Sequence, residues 1–195
     1  VLREIPVNIF AVDPVPGPLN TQLTKTSLSS NVRQYVAFYA RDERSKGFAC
    51  VIPDTHPSTQ VNIYPMAGRH ATLVGNASLT GASGPGSLNE PGILVRHFAE
   101  RCLTRWGAQL TKTLNLSEQD VSRLHQSIVM QDSSFLKMRD QSYVKTTENT
   151  GQERSVIYKK KTVAFGKVAD HPFNPIEGLA ATLAKGNSAY QAILK

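Results

Sequence analysis

The pattern of apolar and polar positions changes period near the middle of the chain. Residues 5–12 alternate loosely and end at Asp13-Pro14, followed by Pro16 and Pro18, which cannot donate to a β-ladder. Residues 32–40 (VRQYVAFYA) are rich in β-branched and aromatic side chains, and residues 48–52 (FACVI) form a second such run. The polar stretch 41–47 between them ends in Gly47 and predicts a hairpin loop. Residues 61–64 and 71–74 predict shorter strands, punctuated by Pro65 and Gly68. Nine of the eleven prolines precede residue 92, which suits short strands and sharp turns rather than long helices.

Residues 76–89 (NASLTGASGPGSLN) are poor in large apolar groups and predict a flexible Gly/Ser-rich connection. Beyond it the period becomes helical. Pro91 suits a first turn, and Val95, Phe98, Cys102, Trp106, Leu110 and Leu114 follow three or four apart on one stripe. Asn115-Leu116 breaks that helix. Ser117 caps a second one, with Glu118 and Asp120 favourable at its positive end and Val121, Leu124, Ile128 and Val129 turned inward. Two amphipathic helices joined so closely predict a helical hairpin packed on the sheet.

After residue 131 the pattern returns to strand. Residues 142–147 and 155–165 flank the turn sequence 148–152 and predict a projecting β-hairpin. The tail enters through His171-Pro172-Phe173-Asn174-Pro175 and predicts short helices over 176–184 and 188–194. The expected fold is therefore a single α+β domain over residues 1–195. Its parts are an antiparallel β-rich half (1–75), the connection (76–89), a helix pair (91–131), a basic hairpin (142–167) and a C-terminal helical tail (175–195).

Composition narrows the class. With 40% hydrophobic and 19% charged residues the chain is ordinary for a globular protein, and its apolar fraction is too high for wholesale disorder. No apolar run approaches the roughly 20 residues a bilayer span needs, so no membrane partner is expected. Cys50 and Cys102 are too few and too far apart for a disulfide framework or a metal knuckle. Both read as small buried hydrophobes, which favours a reducing, cytoplasmic setting or the inside of a larger complex. The charge of +7 is uneven. Residues 1–91 hold seven Lys or Arg against six Asp or Glu, and residues 92–195 hold fifteen against nine, so +6 of it lies in the second half. That asymmetry points to a polyanion or an acidic partner.

The basic hairpin is the sharpest candidate. Lys145, Arg154, Tyr158, Lys159, Lys160, Lys161 and Lys167 interleave cations with an aromatic ring, which suits phosphate tracking and base stacking. The plainer alternative is an edge strand that uses lysine against aggregation. On the first helix Arg101, Arg105 and Lys112 fall on one flank, where they extend the stripe or simply face solvent. A winged helix-turn-helix is rejected, because Ser117-Glu118-Gln119-Asp120 would press carboxylates toward phosphates.

For catalysis there are five histidines. Asp54 and His56, joined by His70, could supply metal ligands, but no HExxH or CxxC spacing accompanies them, so no metal or cofactor is expected. The Gly-rich loop at 81–86 has no Lys-Ser/Thr ending, and no G-x-S-x-G elbow is present. The reading that follows is a non-enzymatic, self-associating assembly protein that binds nucleic acid through its backbone, as a single strand or by backbone-only contact. The alternatives are a subunit docking on an acidic protein surface, and a hydrolase or metal-dependent enzyme around His56.

Overall fold

The structure of the protein, a computed structural model, describes residues 5–15, 27–43, 53–74, 88–137, 143–146 and 153–156. Three strands, β1 (Val7–Val12), β2 (Val32–Ala40) and β3 (Gln60–Met66), form one sheet in the order β1-β2-β3. Both pairings are parallel: Phe10 lies opposite Val36, and Ala37 opposite Ile63. The chain thus combines helices and strands as expected, but its N-terminal half is not antiparallel. The connections through residues 13–31 and 41–59 are long enough for the crossover that parallel neighbours require. Both edges of β2 are occupied, so it cannot also pair with a strand at 48–52 across a hairpin. The loop and second strand of that expected hairpin fall largely outside the described residues.

β2 is the centre of the molecule. Its alternate residues Val36, Phe38 and Ala40 pack toward the helices, and Tyr35, Ala37 and Tyr39 pack into a second cluster with Ile63. All six are buried. A strand buried on both faces reads as a nearly continuous apolar run, which is what YVAFYA is. On the helical side Phe38 stacks on Phe98 with ring centroids 5.4 Å apart, and on Tyr64 at 5.2 Å. β3 is longer than the sequence pattern suggests, because Pro65 lies within it, opposite Tyr39. Among the described residues β3 pairs only with β2, and an outer strand tolerates a proline that a central one would not.

Residues 71–74 are not a strand. They fall in and just after the short helix α1 (His70–Leu73), which begins where Gly68, at φ +101°, turns the chain out of β3. The long helix α2 (Glu90–Arg105) carries Leu94, Val95, Phe98 and Cys102 into the core. It stops one turn after Cys102, so Leu110 and Leu114 are not on its stripe. Gly107, at φ +91°, takes the left-handed position, its N–H donating to the Thr104 carbonyl while Ala108 N–H donates to Leu103. These are the two crossed bonds that close a helix at a glycine. Trp106, at that end, is half-buried rather than enclosed: it packs on the edge of the core and its indole Nε1 donates to Gln34 Oε1 at 2.9 Å.

α3 (Glu118–Met130) starts where the sequence pattern places it. The Ser117 hydroxyl accepts from Asp120 N–H, and Asp120 Oδ2 accepts in return from Ser117 N–H, so two otherwise unpaired donors are satisfied. Val121 and Ile128 are buried and Leu124 packs on the core, but Val129 is exposed. A further helix, α4 (Asp132–Lys137), follows where strand was expected, and buries Phe135. β4 (Tyr143–Thr146) and β5 (Glu153–Val156) pair antiparallel, with Lys145 opposite Arg154. The expected hairpin is therefore present, its second strand starting two residues early. The remainder of that hairpin, most of the connection at 76–89 and the C-terminal tail lie outside the described residues.

Phe38→Ala should cost about 3–5 kcal/mol, the range for truncating an enclosed aromatic. Trp106→Phe, which keeps a ring but removes the bond to Gln34, should cost only about 1 kcal/mol. Urea denaturation of the two variants against the parent measures both.

Candidate functional site

Because β1, β2 and β3 run parallel, the residues that follow them emerge along one edge of the sheet. Open parallel sheets bind ligands outside this carboxyl edge. Here it holds Asp13 after β1, Arg41-Asp42-Glu43 after β2, and Gly68-Arg69-His70 after β3. Asp13, Arg41, Asp42, Glu43 and Arg69 are all buried. Five charged side chains withdrawn from water at one edge need compensating partners, and these define the site.

Asp13 is the pivot. It is fully buried and has φ +40°, a left-handed conformation that Asp tolerates better than most residues. Its N–H donates to the Phe38 carbonyl at 2.7 Å, and its Oδ1 accepts from Ala40 N–H at 3.0 Å. The other oxygen, Oδ2, meets His70 Nδ1 at 3.0 Å. Burial pushes the Asp13 carboxyl above the usual carboxylate range, against the pull of the bonds from His70 and Ala40. The His70 imidazole is about one quarter exposed. Its bond to Asp13 holds it above its ordinary 6.5, overcoming the opposing effect of burial.

The backbone that carries His70 is gripped as firmly as its ring. Gly68 N–H donates to Asp42 Oδ2 at 2.8 Å, and Asp42 N–H donates to the Gly68 carbonyl at 3.0 Å. His70 N–H donates to Glu43 Oε2 at 3.1 Å, and Arg69 N–H to Thr72 Oγ1 at 3.1 Å. Asp42 is itself paired with Arg41 at 3.1 Å, and Arg41 reaches on to Asp132 of α4 at 2.6 Å. Gly68 has no room for a side chain: an added Cβ would lie 2.7 Å from Thr72 Cγ2.

Asp54, His56 and His70, the candidate ligands, are not brought together. Asp54 lies in an isolated bridge with Ser27, His56 Nδ1 bonds Ser58 Oγ at 2.8 Å, and His70 faces Asp13 instead. Among the described residues no group of three or more His, Cys, Asp or Glu side chains is arranged to hold a metal ion. The histidine of interest is thus His70 rather than His56. Asp13, which the sequence pattern marks only as the end of a strand, is its partner. The available clue was an apolar strand ending in Asp-Pro and a second ending in Gly-Arg-His, a pairing that becomes visible only once the strands are known to be parallel.

Of the expected basic residues, Arg101 and Arg105 come together. Both border a groove of about 860 Å³ between α2 and the loop behind it, with His97, Gln109, Leu110 and Leu116. Burial, aided by Arg101, holds the His97 imidazole below 6.5. Lys112 does not join them along a helical flank, because α2 has already ended at Arg105. Tyr158, Lys159, Lys160, Lys161 and Lys167 lie outside the described residues. Cys102 is a free, buried thiol pushed up to about 11, mainly by burial, and is therefore unsuited to act as a thiolate nucleophile. No helix among the described residues is long and apolar enough to cross a membrane. A scan against protein-family models and a search of curated proteins found no match to this chain.

Two outcomes follow from this geometry. Asp13→Asn should lower the His70 pKa toward 6.5, read from its ring proton shifts by NMR, and Gly68→Ala should do the same by displacing the loop. Since folding raises the His70 pKa, its contribution to stability is complete below about pH 6.5 and is lost as pH rises through the folded-state value. His70→Gln should flatten that segment of a stability-versus-pH curve measured by denaturation.

Proposed function

We propose that the protein is a hydrolase of the nucleophile–histidine–acid class, with His70 as general base and Asp13 as the acid that orients it. The observation that carries this reading is the 3.0 Å bond between a fully buried carboxylate and Nδ1 of a partly exposed histidine at the carboxyl edge of a parallel sheet. With its proton on Nδ1 and shared with Asp13, the ring presents Nε2 as the basic atom. Nε2 then takes the proton of a hydroxyl or thiol as that nucleophile attacks the carbonyl carbon of an ester or related acyl compound. Asp13 stabilises the resulting imidazolium, which returns the proton to the leaving group as the bond to it breaks. Water repeats the sequence to release the acid.

The order of the parts along the chain supports the same class. Hydrolases whose nucleophile sits on a turn between a parallel strand and a helix use the order nucleophile, acid, histidine. Asp13 and His70 stand in the acid-then-histidine order of that series, each just beyond a parallel strand. This retains the hydrolase alternative drawn from the sequence but centres it on His70 instead of His56.

A second reading, binding of a single-stranded nucleic acid through its backbone, draws support from Arg101 and Arg105 along one groove and from the charge excess after residue 91. The two readings rest on different residues, since neither Asp13 nor His70 lines that groove.

Esterase activity on p-nitrophenyl acetate, together with labelling by a fluorophosphonate probe, tests the first reading in the full-length protein. His70→Ala and Asp13→Asn should each reduce turnover by about 10²–10⁴-fold, the usual worth of a positioned base. Peptide mapping of the labelled protein identifies the nucleophile. Neither turnover nor labelling in the folded parent protein would overturn the proposal. For the second reading, oligonucleotide affinity should fall with salt at a log–log slope of about −3 if about four phosphates are neutralised. Replacing Lys159, Lys160 and Lys161 together with Ala should weaken binding without loss of folding, and a slope near zero would dismiss it.

A further inference from the structure

Two carboxylates, not one, reach His70 from neighbouring strands. Asp13 beyond β1 meets the ring, while Glu43 beyond β2 accepts the His70 backbone N–H at 3.1 Å. Glu43 is buried, and a buried carboxylate is costly to hold unless its contacts use the charge. β2 ends at Ala40, and the next two residues, Arg41 and Asp42, form an ion pair. The sequence distance is also telling. Residue 43 meets the backbone of residue 70 at the same edge at which residue 13 meets its ring, so the ends of β1 and β2 both contact the residue that follows β3.

Resting on the hydrolase reading above, we propose that Glu43 is a positioning residue for the base: it fixes the backbone of His70 while Asp13 fixes the ring, and it sets a second negative charge beside the imidazole. Asp13 and Glu43 both favour the protonated form of the ring. A second negative charge beside an Asp–His pair stabilises the imidazolium that forms when the nucleophile loses its proton. The consequence for catalysis is a base of raised strength whose working range is moved toward alkaline pH. Glu43 need touch neither substrate nor nucleophile to do this.

The decisive variant is Glu43→Gln, whose side-chain oxygen still accepts the His70 N–H but carries no charge. By NMR titration the His70 pKa should fall by roughly half to one unit, in the direction a lost neighbouring carboxylate dictates. The acidic limb of the esterase pH profile should move down by the same amount, with plateau turnover changed less than fivefold. Glu43→Ala removes the backbone contact as well and should reduce plateau turnover by tenfold or more. Asp13→Asn serves as the comparator. An unmoved His70 pKa in Glu43→Gln, beside a clear fall in Asp13→Asn, would overturn the proposal and leave Glu43 a structural contact only. If the parent protein hydrolyses no ester and takes up no probe while the Glu43→Gln pKa still falls, the electrostatic role of Glu43 stands and the hydrolase reading is what fails. Should Glu43→Ala not fold, Glu43→Gln carries the test by itself.

Discussion

A single side chain, Asp13, holds the ends of three strands together. Its two oxygens are divided between the Ala40 N–H at the end of β2 and the His70 ring beyond β3, and its own N–H is given to Phe38. A carboxylate in full burial is tolerated only while such partners remain in place, because an unpaired charge in that position would cost several kcal/mol. The requirement acts in both directions. The strands must be parallel and in register for the partners to arrive, and Asp13 must adopt a left-handed backbone to face them. Strain of this kind is stored where surrounding contacts over-determine the geometry, and those contacts are concentrated here.

The surrounding charges extend the same logic outward. Asp42 holds Gly68, Glu43 holds His70, and Arg41 joins Asp42 to Asp132 at the start of α4. Asp13, Arg41, Asp42 and Glu43 are each matched by an opposite charge or a backbone donor. Besides the Trp106–Gln34 bond, the helical layer is attached to the sheet by the aromatic packing of Phe38 on Phe98 and by an ion pair at the sheet's carboxyl edge. The packing is non-directional and sets how close the layers lie. The ion pair is directional and ties α4 to the loop system that carries the histidine.

Local features of the fold were legible in the sequence wherever the information was local. Ser117 and Asp120 announce a helix start because the capping bonds span three residues, and the stripe from Val95 to Cys102 announces the face of α2 because helical spacing is a property of the segment itself. Strand direction is different. The run VRQYVAFYA says that β2 is a strand, but whether its neighbours run with it or against it depends on connections through residues 13–31 and 41–59. The absence of polar alternation from Tyr35 to Ala40 was the one available hint of a doubly buried, parallel strand. The spacing of Leu110 continues the helical series past Gly107, and only the backbone turn at that glycine ends it. An antiparallel order hides the Asp13–His70 pair, since only parallel order brings the residues after β1 and β3 to the same edge.

That pair also has a place in time. Asp13 and His70 are 57 residues apart in sequence, and the strand between them must be paired on both sides before they can meet. Parallel pairing closes its long connections before any contact rewards it, so structure of this kind is among the later events in folding. Helices α2 and α3, stabilised by local contacts and caps, have no such wait. The chain therefore acquires its acid–base pair only when the sheet is complete, and a partly folded molecule, however helical, holds a histidine of ordinary basicity.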